Sequence, residues 1–183
     1  MSKPRNSDKS QERIRKEAQL AELYEEYYAR ISRYAFVHIG EKNDAEDIAG
    51  ETFLRALKTL DSYQERGVPI NAWLFKIAHN LVVDYLRKRT KVKMQSMDIT
   101  TDITMVADNE DPSMLVEKNI QIEKIKGAMQ NLTADQRTVI GLRFLGGMTS
   151  KEVADIMNKN DGAVREMQRA AIERLRNILA TEA

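Results

Sequence analysis

Apolar residues return every three or four positions through most of this chain, and that period decides its fold class. The first series has helical spacing and consists of Leu20, Leu23, Tyr24, Tyr27, Ile31, Tyr34 and His38. Breaking residues are scarce, because 183 residues include only 8 Gly and 3 Pro, about half of average usage. Helical spacing with few breakers predicts an all-α protein.

The N-terminal half is predicted to contain three helices. Residues 1–17 are polar with little periodicity, so we expect an N-terminal tail there. Gly40 should end the first helix, and Asn43 with Glu46 has the spacing of a capping box for the second. The third is expected over about residues 71–89.

The composition changes abruptly after the third helix. Residues 94–117 carry six acidic residues and no Lys or Arg, and polar residues interrupt every apolar period. Such a segment buries too little apolar surface to fold alone. We therefore expect two small helical domains, over residues 18–92 and 113–183, joined by an acidic flexible linker over residues 93–112.

The end of the chain has the pattern of a helix-turn-helix. A short helix from about residue 149 to 157 is followed by a three-residue turn and a longer helix from about residue 161. Asn158 tolerates the left-handed backbone that such a turn often needs, and Asn160 can cap the second helix. The side of this helix away from its apolar stripe suits contacts to DNA and carries Arg165, Gln168 and Arg169. The alternative is an ordinary helical hairpin with a solvated, charged face.

Basic residues fill five of the seven positions at the end of the third helix, residues 87–93. The helix macrodipole favours cations at a C-terminus, but this cluster extends past the predicted end of the helix. It therefore indicates a phosphate-contacting patch. Trp73 and Tyr85 on the same helix are each either core residues or platforms on which bases stack.

Three carboxylates, Asp44, Asp47 and Glu51, share one face of the second helix because they are three and four positions apart. A carboxylate-bundle enzyme would hold a metal in this way, but the Glu-x-x-His partner of such sites is missing. We expect neither a metal nor a cofactor. The residues alone leave open whether this face is solvated or docks a protein.

The composition also argues against several functions. Cysteine is absent, which excludes disulfides, thiolate zinc sites and a cysteine nucleophile. The longest apolar runs have four residues, so we expect no membrane insertion and a cytoplasmic location. The formal net charge of +1 gives no overall indication of a nucleic-acid partner. No phosphate-binding loop or Ser-His-Asp order is present, and an enzyme is not expected.

Three segments of the chain, taken in order, resemble conserved regions of bacterial sigma factors. Residues 44–57 (DAEDIAGETFLRAL) resemble region 2.2, residues 72–89 (AWLFKIAHNLVVDYLRKR) resemble regions 2.3 and 2.4, and residues 132–175 resemble region 4. The size and order match the extracytoplasmic-function (ECF) subgroup, which keeps only domains 2 and 4. Three such segments at this spacing are more specific than any one of them.

The resemblance implies a non-catalytic subunit that binds core RNA polymerase, directs it to promoter DNA and helps to open the duplex. The face with Asp44, Asp47 and Glu51 would dock on the coiled coil of the largest polymerase subunit. The residues expected near the minus-10 element are Trp73, Asn80, Arg87 and Lys88, with a base pocket in the loop over 62–70. The residues expected at the minus-35 element are Lys159, Asn160, Arg165, Gln168 and Arg169. An anti-sigma factor is a further expected partner.

The chain departs from the family pattern at several positions. Gly50 stands where the family usually has Gln, Asn158 and Lys159 replace a Gly-apolar turn, and Ala170 occupies a frequently basic position. The main alternative is a stand-alone helix-turn-helix regulator that binds DNA without polymerase. A carboxylate-bundle enzyme and an adaptor scaffold are the remaining alternatives.

Overall fold

The structure, a computed structural model, describes residues 6–60, 63, 68–95 and 126–181, which are largely helical. The N-terminal half contains α1 (Asn6–Ile39), α2 (Lys42–Thr59) and α3 (Ile70–Gln95). The C-terminal half contains a helical segment over 126–130, then α4 (Ala134–Ile140) with a π-helical turn (Gly141–Leu145), α5 (Ser150–Met157) and α6 (Asp161–Thr181). No strand occurs within these ranges, and the predicted all-α fold is confirmed.

The first helix begins earlier than the sequence predicts. α1 begins at Asn6, inside the polar residues 1–17, although no side chain over residues 11–19 is buried and Leu20 is. The intervening helix is stabilised locally, for example by Arg13 Nε, which donates to Glu17 Oε1 at 2.8 Å. Side-chain pairs four residues apart stabilise a helix without any core contact. Apolar periodicity does not detect such a segment.

The predicted cap of α2 is wrong. The extended residue before the helix is Glu41, the helix begins at Lys42, and no side chain caps it. Asn43 therefore lies inside the first turn. Asp44 in the same turn places a negative charge near the positive end of the helix dipole, which stabilises this end without a cap.

Two helices in the C-terminal half begin with a capping box. The Gln136 backbone N–H donates to Thr133 Oγ1 at 3.2 Å, and the Thr133 N–H donates to Gln136 Oε1 at 3.1 Å. Thr149 and Glu152 make the same reciprocal pair at 3.2 and 2.7 Å. These bonds satisfy backbone donors that a helix start otherwise leaves free, and they fix where α4 and α5 begin.

The two halves of the chain pack directly against each other. One apolar cluster extends from Leu20 in α1 to Val164 in α6 and draws members from both halves. Tyr34 from the first half and Leu142 from the second are fully buried in it. Of the predicted linker, residues 93–112, the structure describes only the first three residues, which end α3.

Candidate protein- and nucleic-acid-binding surfaces

The three carboxylates predicted on one face of α2 have different surroundings. Asp44 is half-buried and accepts a hydrogen bond from the Tyr85 hydroxyl of α3. Burial, and then this carboxylate, raises the pKa of Tyr85. Asp47 is exposed, and Glu51 accepts a 2.7 Å hydrogen bond from Arg55 Nε that lowers the Glu51 pKa. Asp44 therefore joins α2 to α3, while Asp47 and Glu51 face outwards.

The candidates on α3 form a single stripe along the helix. Trp73, Asn80 and Arg87 are seven residues apart, so they lie on one face, and Lys88 extends it. Asn80, Arg87 and Lys88 are exposed. Arg87 is paired with Asp84 at 2.9 Å, but its side chain remains 67% exposed. This face joins hydrogen-bonding and cationic groups.

Trp73 lies at the start of this stripe and is half-buried. Its ring centroid is 4.8 Å from that of Tyr63, whose hydroxyl donates to the Val68 carbonyl oxygen at 2.8 Å. The two rings form an aromatic pair beside the start of α3. The rest of the predicted base pocket, over residues 62–70, lies mostly outside the described residues.

The predicted helix-turn-helix geometry is present. Asn158 ends α5 with φ 52° and ψ 45°, the left-handed conformation that the turn requires. The Lys159 N–H donates to the Ala154 carbonyl oxygen at 2.9 Å, and Asn160 Oδ1 accepts from the Ala163 N–H at 2.7 Å. Asn158 thus adopts the left-handed turn conformation, and Asn160 caps the following helix, as the sequence predicts.

Two arginines on α6 face solvent. The side chains of Arg165 and Arg169 are 69% and 76% exposed, and each is paired with an acid on its own helix, Asp161 and Glu166 respectively. Exposed ion pairs of this kind contribute about 1 kcal/mol or less. A DNA phosphate can therefore replace the acidic partner at small cost.

The other candidates near α6 are engaged within the protein. Lys159 Nζ lies 3.0 Å from Asp135 Oδ2, so it connects the turn to α4. Gln168 is half-buried, and its Oε1 accepts a 2.9 Å hydrogen bond from Arg143 Nε. Arg143 also donates to the Met148 carbonyl oxygen. Gln168 is therefore held towards the body of the protein, although the sequence places it on the exposed side.

A polar cluster lies where the two halves meet, and no sequence motif indicates it. His38 Nδ1 is 2.8 Å from the Tyr34 carbonyl oxygen, and His38 Nε2 is 3.2 Å from Thr138 Oγ1 of α4. The Tyr34 hydroxyl lies 2.8 Å from His79 Nδ1 of α3. Burial lowers the His38 pKa from 6.5 to about 4, and it lowers the His79 pKa as well. Both histidines of the chain therefore belong to this contact.

Close backbone approach accompanies the cluster. A Cβ atom on Gly141 would lie 2.7 Å from Tyr34 Cδ2, so only glycine fits there without movement. Nearby, Arg30 Nε donates to the Leu145 carbonyl oxygen at 2.6 Å, and its guanidinium lies 4.8 Å from the Tyr27 ring centroid. The π-helical turn that follows α4 is thus fastened directly to α1.

The described ranges lack two other features, a membrane-spanning helix and a metal site. No helix there is both long and apolar enough to cross a bilayer. Over the same ranges, no group of three or more His, Asp or Glu side chains is arranged to hold a metal ion.

Comparison with known families gives two matches in the order that the sequence predicts. The family model for Sigma-70 region 2 matches residues 23–92, and the model for Sigma-70 region 4 matches residues 128–177. The first contains α2, most of α3 and the C-terminal half of α1. The second contains the helix-turn-helix.

Similar proteins extend these matches over nearly the whole chain. The ECF RNA polymerase sigma factor BldN of Streptomyces coelicolor is 32% identical over 163 residues, which is 88% of this chain and 60% of BldN. This chain therefore spans less than two thirds of that relative. The ECF RNA polymerase sigma factor SigM of Bacillus subtilis is 30% identical over 155 residues, which is 85% of this chain and 91% of SigM.

A solved structure has the same fold. The sigma factor RpoE of Bartonella quintana, in complex with the anti-sigma factor NepR, superposes with a TM-score of 0.73 over 90% of this chain and 99% of that one, at 22% identity. Because both regions match in order and SigM matches over nearly its full length, this chain belongs to the ECF family of RNA polymerase sigma factors.

Proposed function

We propose that this chain binds core RNA polymerase, directs it to specific promoters and promotes their opening. The observation that carries the proposal is that each of its three functional regions presents an exposed charged face. The α2 face is acidic at Asp47 and Glu51, while the α3 and α6 faces carry exposed cations such as Arg87 and Arg165. One face suits a basic protein surface, and the other two suit DNA.

The α3 face is proposed to contact the minus-10 element. Opening a duplex requires support for an unstacked base and for the displaced single strand, which aromatic and cationic groups provide together. Trp73, Asn80 and Arg87 lie seven positions apart on one helical face, so a strand running along α3 would meet all three, and Lys88 adds a second cation beside Arg87.

The first two turns of α6 are proposed to enter the major groove at the minus-35 element. Arg165 and Arg169 are the main contacts, because they are exposed and paired only to acids on the helix surface. Lys159 and Asn160 lie at the turn, where the same approach brings the backbone phosphates close. Gln168 is assigned a supporting contact through its bond to Arg143.

The domain boundaries follow the same division. We assign residues 18–92 to minus-10 and polymerase binding, residues 113–183 to minus-35 binding, residues 93–112 to an acidic linker and residues 1–17 to an N-terminal tail. The chain is proposed to act in the cytoplasm, without catalytic activity of its own. A stand-alone regulator is not favoured, because the model for Sigma-70 region 2 matches residues 23–92.

Promoter binding requires the two halves to separate. A compact chain of 183 residues has a radius of gyration of about 16 Å. The minus-10 and minus-35 elements are named by their positions, which differ by about 25 base pairs. This separation is about 85 Å along B-DNA. The packed arrangement is too small to reach both, so the contact around Tyr34, His38 and Thr138 must open. We propose that an anti-sigma factor keeps it closed, as a complex with NepR is known for the structurally similar RpoE.

Transcription in vitro tests the proposed function. Core RNA polymerase from the source organism is incubated with a promoter library, with and without this chain. The expected result is a set of transcripts that start only when the chain is present, with shared minus-10 and minus-35 sequences. If no new start appears and the chain does not co-elute with core polymerase, the proposal fails and a stand-alone regulator replaces it.

Removing the acidic face should weaken polymerase binding. We expect Asp47→Ala and Glu51→Ala each to raise the Kd for core polymerase about fivefold, the loss of about 1 kcal/mol typical of an exposed charge contact. A binding titration at low salt measures this, with Glu22→Ala, an exposed acid on α1, as the control. Equal affinity of the double variant and the wild type would contradict this assignment.

Replacing Arg165 and Arg169 of α6 by alanine should impair minus-35 recognition only. Each phosphate contact that is lost lowers the salt slope of binding by about 1. We therefore expect Arg165→Ala and Arg169→Ala to flatten the dependence of holoenzyme–promoter affinity on salt while the Kd for core polymerase is unchanged. Arg176→Ala, an exposed residue about four turns from the start of α6, is the control. A slope that stays constant in the double variant would place the DNA elsewhere.

A further inference from the structure

An apolar groove of about 440 Å³ lies between α1 and α2. Its floor and walls are formed by Leu20, Tyr24, Gly50, Phe53, Leu54 and Leu57. Tyr24, Leu54 and Leu57 are 42%, 54% and 40% exposed, so this is a continuous apolar surface facing solvent. The Tyr24 ring stands edge-on to that of Phe53, with 4.9 Å between their centroids, and forms one rigid wall.

Gly50 is a lining residue of this groove and lies inside α2. An added Cβ at this position meets no atom within 4 Å. Its backbone is not left-handed, because the positive-φ glycines of the described chain are Gly40 and Gly147. Neither packing nor backbone conformation therefore requires a glycine here, although glycine weakens a helix interior relative to alanine. A locally unfavourable residue with no structural reason indicates a site where space is needed.

The groove is continuous with the acidic face assigned above to polymerase binding. Gly50 follows Asp47 by three positions and adjoins Glu51, and Leu54 and Leu57 continue the same side of α2 towards its C-terminus. Glu17 lies at the α1 side of the groove. Glu51 and Glu17 are paired with Arg55 and Arg13, while Asp47 makes no ion pair within the described ranges. An apolar groove with Asp47 as an unpaired acid beside it matches an apolar side chain that has a basic neighbour.

We propose that this groove receives one large apolar side chain from a helix of core RNA polymerase, with Gly50 forming the hole that admits it. The inference rests on the proposed function and deepens it, because it assigns the apolar half of the interface whose charged half is Asp47 and Glu51. Burying an apolar anchor in a pre-formed hole is how small areas of interface acquire most of their affinity. The absent side chain at position 50 is therefore a determinant of polymerase affinity in this chain.

Filling the hole tests the inference. The full chain carrying Gly50→Leu should bind core polymerase at least tenfold more weakly than the wild type, whereas Gly50→Ala should stay within about threefold because it fills little of the groove. Gly127→Leu is the matched control, since Gly127 is another helical glycine whose added Cβ meets nothing within 4 Å. Circular dichroism verifies that each variant is folded. If Gly50→Leu does not fold, Leu54→Asp, at a half-exposed wall of the groove, carries the same expectation.

The cysteine-free sequence permits a direct identification of the occupant. A thiol-reactive photo-crosslinker on Ala21→Cys, an exposed lining residue on the α1 side that leaves the space at Gly50 open, should join this chain to a helix of core polymerase at an apolar residue with basic neighbours. A crosslink within this chain, to a second copy of it, or to none of the polymerase subunits overturns the inference. So does wild-type affinity of Gly50→Leu and Leu54→Asp. If the wild type itself fails to bind core polymerase, the proposed function is what fails.

Discussion

Replacing Gly141 by alanine should release the C-terminal half of this sigma factor from the N-terminal half while each half stays folded. The added Cβ would lie 2.7 Å from Cδ2 and 2.9 Å from Cε2 of Tyr34, a residue that is itself fully buried. Overpacking of this kind costs about 1–3 kcal/mol, which shifts the balance between packed and separated halves about 5- to 150-fold. The clash exists only across the contact, so separation removes it.

Small-angle scattering and circular dichroism distinguish release from unfolding. Gly141→Ala should increase the radius of gyration while the helical signal at 222 nm is retained. Gly127→Ala is the matched control, because its Cβ meets no atom within 4 Å. An unchanged radius of gyration would show that Tyr34 moves aside at no cost, and a loss of helix would show that the substitution damages α4 itself.

The same substitution should strengthen polymerase binding if opening precedes it. The apparent Kd of a protein rises in inverse proportion to the fraction of molecules in the competent state. A variant with a larger fraction of separated molecules should therefore bind core polymerase more tightly. The apparent Kd should fall by at most the factor by which that fraction rises. The comparison with Gly127→Ala separates this effect from the helix propensity of alanine.

Features that depend on a few neighbouring residues were predictable from the sequence. The Thr133–Gln136 and Thr149–Glu152 capping boxes, and the cap at Asn160, involve donors and acceptors within three positions of each other. Their spacing in the sequence therefore determines the geometry of these hydrogen bonds. The cap predicted at Asn43 failed because Glu41 already provides the extended residue that begins α2.

Contacts between distant segments were not predictable in the same way. An apolar stripe on α1 shows that one face is buried, but the same stripe fits a three-helix domain or a packed pair of domains. His38 continues that stripe, yet its partner Thr138 lies 100 positions later. Gly50 could be identified as a departure from the family, whereas the groove around it exists only because Leu20 and Tyr24 of α1 lie opposite.

Lowering the pH from 7 to 5 should weaken the packing of the two halves by about 2 kcal/mol. His38 is neutral in the packed state, where burial first, and then the positive charge of Arg137 and neighbouring His79, lowers its pKa from 6.5 to about 4. The hydrogen bond to the Tyr34 carbonyl oxygen opposes this only in part. The separated state binds the proton more readily. The contribution of neutral His38 to the stability of the packed state is therefore fully present above pH 6.5 and is lost as the pH falls towards 4.

The variant His38→Gln should remove most of this dependence. A glutamine amide can bond both the Tyr34 carbonyl oxygen and Thr138 Oγ1 without titrating. His79→Gln should leave the larger part of the pH dependence. The Asp135 carboxylate raises the His79 pKa and so opposes the lowering that burial causes. Radius of gyration against pH measures both, and constant ellipticity at 222 nm shows that acid separates the halves before it unfolds them. If His38→Gln retains the full wild-type response, the titrating group lies outside this contact, and protonation of His38 does not control separation.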